Sequence, residues 1–179
     1  LARGHSGQTR VIAEAVSPDL RFAYTVGNTG DVKVWNLEAG QVLRTVADAE
    51  AYPDPEALGQ INGATFSPRG DWVATVDEKA VVRRFSLPDG KLLNSFKATS
   101  KHSILRTDGL SIWLVSSDLI EKRGLDGALD SSVSIKALAS GLQSAALSSD
   151  GRSLAVAGGR EVTLLAWEAT SQSNLRGVS

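Results

Sequence analysis

Cysteine and methionine are both missing from this chain of 179 residues, and histidine occurs only twice, at His5 and His102. Without Cys there is no disulfide framework and no thiolate metal site, and the compartment stays open, with the cytoplasm as the expectation. Two isolated His with no neighbouring carboxylate pattern do not assemble a zinc site, so no metal and no cofactor are expected. No apolar run approaches the ~18 residues of a membrane span, and the N-terminus has no signal-peptide pattern, so no membrane insertion is expected. The formal net charge is −1, which supplies no global field toward nucleic acid or anionic lipid. A chain that begins at Leu1 and holds no Met is expected to be a processed or engineered product or a fragment of something longer.

What is present is a repeat. Hydrophobic residues make up 42% and charged residues 22%, the balance of a soluble globular domain. Three segments align: RVIAEAVSPDLRFAYTV from Arg10, QINGATFSPRGDWVATV from Gln60 and GLQSAALSSDGRSLAVA from Gly141. Each reads as a short apolar strand, a turn (SPDL, SPRG, SSDG) and a second strand. A third run ending in an aromatic follows: DVKVWN at Trp35, AVVRRFS at Phe85 and TLLAWE at Trp167. A fourth run follows a polar turn, QVLRTV from Gln41 and KLLNSF from Lys91. Four short strands joined by tight turns describe one blade of a propeller.

Spacing supplies the count. Ser17 and Ser67 are 50 residues apart, and Ser67 and Ser148 are 81 apart. One blade takes roughly 40–45 residues, so a degraded blade is expected from His102, with Thr107-Asp108-Gly109 as its first turn. The reading is all-β, with four blades of four antiparallel strands near 5–46, 59–97, 101–138 and 140–179, and an inserted loop at 47–60. Four blades fall short of the usual ring, so the chain is expected to belong to a larger propeller, to pair with another propeller arc, or to close by itself.

These residues resemble the WD40 repeat family: Gly4-His5, the Ser17-Pro18-Asp19 turn and Val34-Trp35-Asn36 in place of the terminal Trp-Asp. The resemblance is strong in the first blade, moderate in the second and fourth, and weak in the third. It implies a bracing tetrad of His, Ser/Thr, Asp and Trp. His5, Thr25 and Trp35 match, while the Asp position six before Trp35 holds Thr29, and Asp31 lies at another point of the turn. The second blade has Thr75 and Phe85, with Lys79 at the Asp position and Gln60 near the His position. Phe85 brings no indole N–H donor.

Other short motifs have plain structural explanations. No GxSxG elbow and no phosphate-binding GxxxxGK[ST] occurs, and Gly27-Asn28-Thr29-Gly30 reads as a hairpin turn. Arg69-Gly70-Asp71 also reads as a turn. Arg83 and Arg84 point to opposite faces of a strand, and Lys97, Lys101 and Arg106 lack interleaved aromatics, so no nucleic-acid partner is expected. The remaining signal is the loop Ala47–Gln60. Strand alternation puts Asp48, Glu50, Tyr52, Asp54 and Glu56 on the same end as the second-to-third-strand turns, with Asp77, Lys79 and Arg160. Pro53 and Pro55 stiffen the loop, and Tyr is a favoured interface anchor. The expected function is a non-catalytic scaffold that docks a protein partner, or another domain of a longer chain, through this acidic lip. The alternative is an enzyme propeller of lactonase or quinoprotein type, which would need ligands from several blades around a central channel.

Overall fold

The computed structural model describes residues 10–29, 31–46, 61–87, 89–101, 104–135, 141–158 and 161–166. Among these every regular element is a β-strand, and each sheet is an antiparallel meander. The first sheet contains β1 (Val11–Val16), β2 (Phe22–Gly27), β3 (Val32–Asn36) and β4 (Gln41–Val46). The second contains β5 (Ile61–Phe66), β6 (Trp72–Asp77), β7 (Val81–Ser86) and β8 (Leu92–Lys97). The third contains β9 (Ile104–Thr107), β10 (Ser111–Val115), β11 (Leu119–Gly124) and β12 (Leu129–Ser134). The fourth shows β13 (Leu142–Leu147), β14 (Ser153–Gly158) and β15 (Glu161–Ala166). These are propeller-type blades. The fourth blade's expected last strand lies outside the described residues. The chain divides into two compact units, residues 1–101 and 102–179, each holding two blades.

Register makes the repeat exact enough to compare position by position. A bulge falls at Val11/Ala13, Ile61/Gly63 and Leu142/Ser144, the same point of three first strands. A second bulge falls at Val34/Trp35, Arg84/Phe85 and Lys122/Arg123, where the third strand meets the fourth. Bulges raise local twist, and a twisted blade is what face-to-face stacking around an axis requires.

The first turns are built by a serine. Ser17 Oγ accepts from Phe22 N (3.0 Å) and donates to Asp19 Oδ1 (2.5 Å), while Asp19 Oδ1 also accepts from Arg21 N. Ser148 and Asp150 repeat the arrangement with Ser153 and Arg152. In the second blade Ser67 Oγ donates to Asp71 instead. The turn closes through a left-handed residue: Gly70 at φ 70°, Gly151 at 66° and, in the first blade, Leu20 at 58°.

Within each unit one blade face stacks on the next blade. In the first unit Tyr24, Val26, Val32 and Val34 pack against Ala64, Val73, Phe85 and Leu87. Tyr24 also stacks on Phe66, with ring centroids 5.7 Å apart. In the second unit Trp113, Val115, Ile120 and Ile135 pack against Ala145, Leu154, Val156 and Leu165. The same strand positions face each other both times. The leading blade's face is termed the A face and the following blade's face the B face. Each large apolar side chain buried this way contributes about 1.5–3 kcal/mol, so the interblade layers dominate stability.

Candidate interaction surface

The tetrad-like residues come first. Trp35 Nε1 donates to Thr25 Oγ1 at 2.9 Å, so the indole–hydroxyl brace expected in the first blade is formed. His5 lies outside the described residues. Thr29 Oγ1 donates to Asp31 Oδ1 at 2.7 Å, which keeps both inside the β2–β3 turn.

Each other blade fills these positions differently. In the second blade, Thr75 and Phe85 occupy the places of Thr25 and Trp35. Phe85 has no donor, and the fully buried Thr75 Oγ1 has no hydrogen-bond partner among the described residues. In the third blade Arg123 takes the Trp35 position. Its Nε donates to Glu121 Oε2 at 2.6 Å and its Nη1 to the Gly127 carbonyl, both within a buried site. In the fourth blade Val156 and Leu165 hold the two positions, and packing alone braces them. Leu165 faces Leu154 as Trp35 faces Ala23, so the third-strand aromatic position expected at Trp167 is Leu165. Trp167 itself lies outside the described residues.

The expected docking face is changed by one of its members. Asp77, assigned to it with Lys79 and Arg160, is fully buried. Its Oδ1 accepts from Lys79 N and Val81 N, both at 2.9 Å, and its Oδ2 pairs with Arg83 Nη1 at 2.6 Å. Asp77 therefore braces its own turn and presents no carboxylate to a partner. The physical reason is local: a carboxylate beginning a β-turn captures the next backbone N–H groups, and Arg83 on the adjacent strand neutralises its buried charge. Lys79 is exposed. Asp48, Glu50, Tyr52, Asp54, Glu56 and Arg160 lie outside the described residues.

Of the basic residues singled out in the sequence, Arg83, Arg84 and Arg106 are committed to the fold, while Lys97 and Lys101 are exposed. Arg84 lies over the Trp72 ring, 5.6 Å from its centroid, while Arg83 pairs with Asp77, so neighbouring arginines do serve opposite faces. Arg106 Nε donates to the Ala145 carbonyl at 2.7 Å and Nη1 to the Leu105 carbonyl, tying the third blade to the fourth. Burial pushes its guanidinium pKa down. Arg69-Gly70-Asp71 forms the expected turn, closed by Gly70 N to the Ser67 carbonyl.

Sequence reasoning missed the apolar turn tips. Leu20 is 72% exposed and Leu110 79% exposed, both in first-to-second-strand turns. The available signal was Leu20 itself, which breaks a turn pattern that otherwise uses glycine. No group of three or more metal-ligating side chains occurs among the described residues. Nor does any described helix have the length and apolarity to cross a membrane. Compared with models of known protein families and with curated proteins, the chain matches none.

Proposed function

We propose that this chain is a divergent WD40-like interaction scaffold without catalytic activity, which docks a protein partner or another domain of a longer chain. Leu20 carries this reading. A left-handed backbone costs a non-glycine residue about 1–2 kcal/mol. Leu20 accepts that cost at φ 58° with its side chain 72% exposed, where two other blades place glycine. Most of this side chain lies outside the packing of the fold. An external apolar contact gives it a purpose, and rigid turns braced by Ser17 and Asp19 present it at fixed geometry. The chemistry this favours is an apolar or aromatic side chain on the partner.

The test places a photo-crosslinking residue at position 20 and, as control, at exposed Asp130, in cells of the native source. One discrete adduct from position 20 and none from position 130 is expected. Smearing or no adduct at position 20 overturns the docking reading. Turnover of any member of a lactone and ester panel by the purified chain overturns the non-catalytic one.

A further inference from the structure

The interblade layers use the A and B faces of the blades, and the outer edge of a blade is a separate surface. In the second blade that edge is β8, which stands last in its sheet with β7 beside it. It lies in the middle of the chain, and residues 89–101 around it are all described. Its ladder shows which backbone groups are used. Ala98 N donates to the Ala80 carbonyl, and Lys97, Phe96, Ser95 and Asn94 stand opposite Val81, Val82, Arg83 and Arg84. Ladder bonds alternate along an antiparallel strand, so Phe96 and Asn94 turn their N–H and C=O groups toward β7, while Ser95 and Lys97 turn theirs outward. Leu93 is the residue that the bulge leaves without an opposite number on β7.

Such an edge takes an extended strand that supplies complementary backbone groups. Charge narrows the choice. Lys91 and Lys97 bracket the strand, Lys101 follows, and all three are exposed. The ion pairs among the described residues are Arg44–Asp89, Arg83–Asp77 and Arg123–Glu121, and none of the three lysines takes part. Lysines along an edge repel a second copy of the same edge and attract carboxylates. Leu92 and Leu93, 46% and 47% exposed, add apolar contact. The other outer strands differ: Arg44 of β4 is paired with Asp89, and β12, LDSSVS, carries Asp130 and no cation. We infer that β8 is a docking edge for an extended acidic segment of a protein partner, which joins the second blade as a further strand and sets its carboxylates beside Lys91 and Lys97. This surface is distinct from the Leu20 turn, and the inference shares with the proposed function only the premise of a protein partner.

The experiment follows the fluorescence anisotropy of a labelled short peptide of alternating glutamate and valine, titrated with the whole chain. Saturable binding that weakens as salt is raised is expected. S95P removes an outward N–H and leaves the ladder to β7 intact, a place where an edge strand tolerates proline, and it lowers affinity by about tenfold. K97E lowers it by about tenfold through charge. Both substitutions fall on exposed side chains, and an unchanged melting temperature confirms that the variants are folded. Should S95P melt early, N-methylation of alternate residues of the peptide asks the same question from the other strand: one set of positions abolishes binding and the other does not. Absence of saturable binding overturns the inference. So does binding that S95P and both methylated peptides leave unchanged, which would mean attraction of charge alone. Displacement of the peptide by an equal concentration of oligothymidylate also overturns it, and would assign the lysines to nucleic acid. The adduct at position 20 is expected to persist in K97E, so the two proposals fail separately.

Discussion

Thr25 and Thr75 show what a single donor is worth. Both hydroxyls sit at the same place in the second strand of their blades, yet only Thr25 receives an indole N–H. A buried hydroxyl without a partner costs about 1–3 kcal/mol of lost hydration, whereas a made hydrogen bond returns about 1 kcal/mol net. The same substitution therefore has opposite signs. Thr25→Val lowers stability by about 1 kcal/mol, and Thr75→Val raises it by about 1 kcal/mol. Urea unfolding of both variants, compared at the midpoint with an unchanged slope, checks the pair. A loss in both would mean that the Thr75 hydroxyl has found a partner in solution.

At the scale of strands and turns, the serine-built turns carry a pH dependence. The Ser17 hydroxyl, then the Arg21 backbone N–H, hold the Asp19 carboxyl below its ordinary 3.8, and Ser148 and Arg152 do the same for Asp150. A carboxyl depressed by folding stabilises above its unfolded value, and the contribution is lost as pH falls through the lower folded value. The effect belongs below pH 3.8, and solvent around both groups keeps it small. D19N/D150N is expected to melt below the unaltered chain at neutral pH, with the gap closing as the solution is acidified through that window. Melting curves recorded in steps of acid check this, and a gap independent of pH would count against the ionised carboxylates. These same turns made three blades readable from sequence, since SPDL and SSDG spell out the serine, its acidic partner and the left-handed residue, and SPRG spells out the serine and the left-handed glycine with the acid following at Asp71. The third blade was faint because its turn is two residues shorter, Thr107 to Ser111 against Val16 to Phe22, and because Arg123 replaces the tryptophan. The aromatic of the fourth blade was misplaced because Trp167 lies one residue beyond the spacing of Trp35 from its turn serine, and the β14–β15 hairpin is one residue shorter than β2–β3, so the critical position is Leu165. Asp77 was misjudged for a different reason. A polar residue beside a turn is read as exposed, and its burial depends on Arg83, six residues away on the next strand.

For the molecule as a whole, stability should follow the blade order, because each of the two layers described joins adjacent blades of one unit. In a repeat protein the total is a sum of intrinsic blade terms and nearest-neighbour terms, so damage stays close to where it is made. Phe85 tests this. It is 1% exposed and packs in the layer shared by the first two blades. Phe85→Ala removes about 3–5 kcal/mol from that layer. Hydrogen exchange followed by mass spectrometry should show protection falling most at Val26, Val34 and Val73, which touch the same core, and less at Trp113, Leu154 and Val156, which belong to the other. An equal fall in both sets would mean that the two units open as one cooperative body, and the nearest-neighbour description would fail. A fall confined to the first set would mean that each pair of blades carries its own stability. Binding at one end of such a chain would then leave the opening of the other pair unchanged, and contacts at the two ends could be altered independently.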